Sequence, residues 1–206
     1  MEKIKKDLVA IVAITDKENG IGKDNDLPWS IPEDWNYMLN FIRTTDDPTK
    51  QNALIMGRET WLSVPDELSP FKPCLNVIIS CKLEKSKMNF KEKTDADHVL
   101  VATSINSALD SVNNRDNIEK VIAVGGSGIY KEFFSRTDFK RLYLTRIFKT
   151  FNCDTFLKPD NFLSGLKRVE CPDELRKESI KYNCDYNVIK KDEASGVEFI
   201  FEIYDS

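Results

Sequence analysis

Five short apolar runs rich in β-branched residues constrain this chain more than any other feature: LVAIVAI at 8–14, NALIM at 52–56, LNVIIS at 75–80, HVLVA at 98–102 and KVIAVGG at 120–126. Runs of that length without polar alternation suit strands buried on both faces, as in a parallel sheet. Parallel strands need crossovers, and helix-period patterns lie between the runs. EDWNYMLNFIR places Trp35, Met38, Leu39 and Ile42 on one stripe, and SINSALDSV and SGIYKEFFS repeat the arrangement. Beyond Lys140, RLYLTRI and VEFIFEIY follow without an obvious crossover helix between them, as an antiparallel end of a sheet does. The pattern predicts an α/β fold: a three-layer domain with a mostly parallel sheet and helices on both faces.

The 206 residues suffice for one full core and are short for two, so a single domain over 1–206 is expected. A net charge of −4 gives no basic excess for a phosphate backbone, and nucleic acid is not an expected partner. Cys74, Cys81, Cys153, Cys171 and Cys184 are odd in number and contain no Cys-x-x-Cys pair, the usage of reduced cytoplasmic thiols. His98 is the only histidine, so neither a Ser-His-Asp triad nor a multi-histidine metal centre is expected. The opening MEKIKKDLVAIVAI reads as a strand rather than a signal peptide, and no apolar run reaches membrane-spanning length. Two charge-rich segments, 81–97 and 171–196, read as solvated surface excursions.

Three places could carry chemistry. In GIGKDNDLPWSIPED (20–34), Ser30 and Glu33 have the spacing of a capping box, with Pro32 in the first turn. Asp34, Met38 and Phe41 fall at i, i+4 and i+7, which sets the Asp34 carboxylate at the edge of the apolar stripe, while Glu33 faces solvent. A carboxylate turned into an apolar cleft could bind a donor pair on a heterocycle, and desolvation would raise its pKa. The bland reading is a helix start favoured by the macrodipole, at ~0.3–1 kcal/mol. Second, Gly125, Gly126 and Gly128 form a strand-turn-helix junction able to receive an anion. Third, Gly57 turns the chain before Arg58 at another helix start, so the two turns could hold the ends of a long phosphorylated cofactor. Two ordinary crossover turns with a surface arginine remain the alternative.

IVA (11–13), GIGKDNDLPW (20–29), Asp34, MGRETWLSVP (56–65), VGGSGIYKE (124–132), LTRI (144–147) and CDTFLKP (153–159) stand in the order and approximate spacing of the dihydrofolate reductases. The chain resembles that family over roughly 8–204. The resemblance implies an eight-stranded sheet, seven strands parallel and a C-terminal one antiparallel. It implies hydride transfer from C4 of NADPH to C6 of 7,8-dihydrofolate with protonation at N5, yielding tetrahydrofolate for one-carbon metabolism. Asp34 would bind N3 and the 2-amino group of the pterin, and water admitted near Trp29 and Leu27 would carry the proton. Thr145 would reach Asp34 and a bound water, and Tyr130 would lie beside the hydride path. Residues 20–29 would form a mobile lid.

By the same resemblance Ile11, Val12 and Ala13 would line the pterin, with the Ile11 and Val124 carbonyls facing the 4-amino group of antifolate inhibitors. Trp35, Met38, Ser63, Val64 and Phe71 would flank the aminobenzoyl ring. Thr60 and the amides of Gly125, Gly126, Ser127, Gly128 and Ile129 would hold the pyrophosphate, across a cis Gly125-Gly126 bond. Arg58, Ser80 and Lys82 would approach the 2′-phosphate, and Ala13, Ile21, Gly22, Gly57 and Tyr130 complete the cofactor set. A monomer is implied.

The departures matter too. Where the family pairs an arginine with the substrate's glutamate α-carboxylate, this chain has Cys74, in Pro70-Phe71-Lys72-Pro73-Cys74. A lost bidentate contact costs ~1.5–3 kcal/mol, unless Lys72, on the same side of an extended backbone, replaces it as a point charge. Cys81 and Thr103 stand where relatives often carry basic residues. Two alternatives therefore stay open: a pteridine-binding protein of the same fold, or a reductase of a pterin or pyrimidine without the glutamate tail.

Overall fold

A computed structural model of the protein describes residues 6–81 and 98–206. The strands are β1 (Asp7–Thr15), β2 (Gly20–Gly22), β3 (Gln51–Gly57), β4 (Leu75–Ile79), β5 (Val99–Ala102), β6 (Ile118–Gly125), β7 (Phe139–Ile147), β8 (Thr155–Phe156), β9 (Lys167–Arg168), β10 (Ile189–Lys191) and β11 (Glu198–Asp205). The helices are α1 (Pro32–Arg43), α2 (Arg58–Ser63), α3 (Ile105–Asn113), α4 (Ser127–Phe134) and α5 (Pro172–Tyr182).

The main sheet runs β10-β11-β7-β1-β6-β3-β4-β5, with β9 pairing outside this path to β11. The pairs among β7, β1, β6, β3, β4 and β5 are all parallel. Only β11 runs against its neighbours β7 and β10, so the main path has seven strands in one direction and one against, as expected. Each of the five apolar runs is a strand of this sheet. Side-chain alternation along β1 explains the layers: Leu8, Ala10, Val12 and Ile14 join the core under α3 and α4. Val9 and Ile11 join the core under α1, α2 and α5. From β1 the chain moves one way along the sheet to β3, β4 and β5, then returns to β6 and β7 on the other side of β3. The direction reverses beside β1, and the carboxyl ends of β1, β3, β6 and β7 share one edge, where doubly wound sheets bind ligands.

Four expectations about α1 and the tail change. The capping box does not form: Ile31 is the N-cap without a side-chain bond, and the Glu33 carboxylate instead meets the Lys190 ammonium. On α1 the buried side chains are Asp34, Tyr37, Phe41 and Ile42, whereas Trp35, Met38 and Leu39 are half-buried. The reason lies in 171–196, which is not a solvated excursion: it contains α5 and β10, and it buries Tyr182, Cys184 and Tyr186 against the α1 side of the sheet. The Tyr182 ring lies 4.7 Å from that of Phe41, and the Tyr37 and Tyr186 hydroxyls are 2.9 Å apart. A helix thus does intervene between RLYLTRI and VEFIFEIY, and β7 is buried and parallel to β1. Of the excursion at 81–97, all but Cys81 lies outside the described residues.

Candidate active site

Asp34 stands in the first turn of α1 with 8% of its surface exposed. Its Oδ1 accepts a 2.6 Å hydrogen bond from the Thr145 hydroxyl, near the carboxyl end of β7. Ala13 of β1 is the register partner of Thr145, so the carboxylate is fixed over the central pair of strands. Burial raises the Asp34 carboxyl from 3.8 to about 6, against the smaller lowering effect of the Thr145 bond. Tyr130 of α4 is also buried and donates to the Ile11 carbonyl at 2.8 Å. Burial, and next the Asp34 charge, push its phenol upward, so the two groups lie within electrostatic reach. The Ile11 carbonyl expected to face a ligand is therefore engaged by Tyr130.

The segment leading to Asp34 arches over this edge. Short strands β2 and β8 pair at its base, where a Cβ on Gly20 would come within 2.5 Å of Cys153 Sγ. The Asp24 amide donates to Asp154 Oδ2 at 2.8 Å, and at the tip the Asn25 side chain donates to the Glu59 carbonyl of α2 at 3.2 Å. Leu27 is exposed, whereas Trp29 is buried edge-on to Phe151 at 5.6 Å. The Trp29 indole N–H is buried with no hydrogen-bond partner. An orphaned buried donor is suited to a water or a ligand atom.

The two glycine turns come together. A Cβ on Gly57 would lie 3.9 Å from the Gly126 amide nitrogen, and one on Gly126 would approach the Thr60 hydroxyl at 3.3 Å. Gly125 holds φ +134°, and its added Cβ would meet Thr60 Cγ2 at 3.0 Å, so only glycine suits it. The Gly125-Gly126 peptide is cis. Nothing lies within 4 Å of the Cβ position on Gly128, and Ser127 and Ile129 continue the turn into α4. This cradle of bare backbone, with Arg58 exposed at the head of α2, fits a phosphorylated ligand. Arg58 here pairs with its neighbour Glu59 at 2.6 Å. Ser80 is buried at the end of β4 and bonds Ala102 through its amide; Lys82 lies outside the described residues.

The remaining expected residues divide. Ile11, Val12, Val64 and Phe71 are buried, and Ala13, Ile21, Gly22, Trp35, Met38 and Val124 half-buried. Ser63 is exposed and donates to the Thr60 carbonyl. Lys72 and Cys74 do not share a side: Lys72 is exposed, while Cys74 is wholly buried with its thiol donating to the Ile42 carbonyl at 3.1 Å. The segment bends before β4 rather than running extended, and Asn76 fixes the bend by bonding both the amide and the carbonyl of Phe71. Arg43, in the last turn of α1, is close enough to Cys74 to affect its ionisation. Arg43, Asn25 and Asp154 drew no expectation from the sequence, although all three lie inside stretches quoted above, EDWNYMLNFIR, GIGKDNDLPW and CDTFLKP.

Fold and site together define an α/β enzyme with the buried Asp34 carboxylate and a glycine-lined anion cradle on a single sheet edge. The dihydrofolate reductase profile matches residues 7–191. The chain is 34% identical over 175 residues to the dihydrofolate reductase of Drosophila melanogaster, covering 84% of this chain and 91% of that one. It is 33% identical over 202 residues to that of Sus scrofa, covering 96% and 97%. A bifunctional dihydrofolate reductase-thymidylate synthase of Arabidopsis thaliana is 34% identical over 150 residues, and the chain spans only 26% of its length. The structure of Schistosoma mansoni dihydrofolate reductase superimposes with a TM-score of 0.74 at 28% identity, over 98% of this chain and 99% of that one. The chain belongs to the dihydrofolate reductase family.

Proposed function

We propose that the protein reduces 7,8-dihydrofolate to tetrahydrofolate with NADPH as the electron donor, in the cytoplasm and as a monomer. The observation that carries this reading is the buried Asp34 carboxylate, held by Thr145 on the same sheet edge as the Gly57 and Gly125-Gly126 cradle. Reduced nicotinamide supplies the hydride. Asp34 binds the N3 and 2-amino donors of the pterin, and Thr145 fixes the carboxylate's orientation. The Trp29 N–H holds the water that carries a proton to N5, with Leu27 and the rest of 20–29 shielding the edge from bulk solvent. Tyr130, tied to the Ile11 carbonyl, would stand beside the hydride path. Thr60 and the backbone of Gly125 to Ile129 would hold the pyrophosphate, and Arg58, now paired with Glu59, would reach the 2′-phosphate.

Turnover followed by loss of reduced-nicotinamide absorbance tests this. Wild type consumes NADPH with dihydrofolate, and Asp34→Asn at neutral pH loses at least about a hundredfold in kcat/KM, as removal of a group that orients the reacting ring does. Wild-type binding of NADPH without turnover would defeat the reading in favour of a pteridine-binding protein.

The burial of Cys74 supports a second reading of the substrate. The thiol presents nothing to a tail carboxylate, so a pterin lacking the glutamate is accepted about as well as dihydrofolate. The comparison of kcat/KM for dihydrofolate and dihydropteroate decides it. A large preference for dihydrofolate, reduced by Lys72→Ala or Arg43→Ala, would assign the tail to those cations instead.

A further inference from the structure

Residues 182–190 run antiparallel to α1 along one ridge of that helix. Tyr182 packs on Phe41, Tyr186 bonds Tyr37, and Lys190 pairs with Glu33. The partners on α1 are spaced by four, as are those on the strap, so three successive turns are gripped in register. The same strap is fastened to the sheet. Tyr186 bridges Phe201 of β11, the Asn187 amide donates to the Phe201 carbonyl at 2.8 Å, and β10 pairs with β11 through Ile189 and Ile200. Phe201 is in turn the register partner of Thr145, and its ring lies 4.4 Å from that of Tyr37. A closed loop of contacts results: Asp34 to Thr145, Thr145 to Phe201, Phe201 to Tyr186, Tyr186 to Tyr37, and Tyr37 back along one turn of α1 to Asp34.

The first turn of α1 needs this support, because its N-cap makes no side-chain hydrogen bond. Lys190 is the only strap residue whose contact reaches that turn among the bonds described, and Asp185 steadies it at 3.0 Å. Helix stabilisation does not account for the placement. A cation beside a helix N-terminus opposes the macrodipole, so the lysine is there for Glu33 rather than for the helix end.

We propose that Lys190 and Tyr186 are positioning residues for substrate binding: through Glu33 and Tyr37 they set where α1 holds the Asp34 carboxylate against Thr145. The proposal rests on Asp34 being the pterin-binding group. Loss of the Lys190 contact leaves the fold nearly untouched, since a part-exposed ion pair contributes little stability, but lets the first turn of α1 shift.

The experiment measures three quantities: folate affinity by quenching of tryptophan fluorescence without cofactor, the KM values for dihydrofolate and NADPH, and the melting temperature. Lys190→Met is expected to raise the folate Kd and the dihydrofolate KM roughly three- to tenfold. Its NADPH KM stays within about twofold and its melting temperature within about 3 °C. Lys190→Arg recovers the wild-type constants, and Glu33→Gln combined with Lys190→Met is no worse than either alone. Removing both hydroxyls, in Tyr37→Phe/Tyr186→Phe, avoids an orphaned phenol and is expected to weaken folate binding by a similar factor. Unchanged folate affinity in the Lys190 and the double tyrosine variants overturns the proposal, as does a parallel loss of folate and NADPH binding. Asp34→Asn separates the two ways of failing. If it binds folate like wild type, the assignment of Asp34 falls and the proposal with it; if it loses folate while the strap variants do not, only the strap's role falls.

Discussion

Asp34 is an acidic residue kept in a place that penalises its charge. In the unfolded chain it titrates at its ordinary value, and in the folded chain at about 6. Below roughly pH 4 both states carry the proton and the native preference is complete. As pH rises through the folded value the buried group must ionise, and about 3 kcal/mol of stability is lost in all. Asp34→Asn is therefore expected to melt above wild type at pH 8, with the difference vanishing near pH 4. A variant that melts below wild type at pH 8 would show that the carboxylate is better solvated than its burial indicates. The identity of this residue was readable from its place after Leu-Pro-Trp. Its partner Thr145 is 111 residues away, and the two meet through the packing of α1 on the sheet, where Tyr37 lies against Phe201, the register partner of Thr145.

At the scale of elements, the strands and the crossover helices were legible because buried parallel strands and amphipathic helices leave strong periodic signals. The glycine turns were legible as possible anion sites, but not as one site: Gly57 and Gly126 are neighbours only because β3 and β6 are adjacent in the sheet. Gly125→Ala tests that closeness. It demands a positive φ of an alanine and crowds Thr60 at 3.0 Å, so a loss of about 2–4 kcal/mol is expected in urea unfolding. Thr60→Ser, by removing the nearer methyl, recovers part of the loss but not the backbone share. No loss in Gly125→Ala would mean that the two turns are not held together. The element misjudged from sequence was α5, whose one buried residue, Tyr182, closes a run of charges of both signs. Composition there describes the exposed face, and the face on α1 is carried by Tyr182 alone among the residues of α5 that are fully buried.

Over the whole molecule, the five cysteines report how the layers shield the interior. Burial pushes the Cys74 and Cys184 thiols up to about 12, while Cys81 and Cys171 are exposed. Since the thiolate is the reactive form, burial protects Cys74 and Cys184, whereas Cys81 and Cys171 are open to a disulfide reagent and are expected to react with it at once. Cys74 and Cys184 should follow only at the rate of unfolding, identified by mass spectrometry of the labelled peptides. Rapid labelling of Cys184 in the native protein would show that the strap over α1 opens independently of the sheet.

Local chemistry determined much of this protein without tertiary information. Runs of β-branched residues can be satisfied only by a covered sheet, helical periodicity supplies the cover, and the order of short motifs carries the family likeness. Tertiary structure alone decided which of these residues meet. The depth of Asp34, the burial of Cys74 that the bend at Phe71 imposes, and the grip of Tyr186 and Lys190 on α1 all depend on contacts across many intervening residues. Burial and pairing are properties of surroundings, and a residue's surroundings are set by strand order and register, which no local pattern of side chains contains.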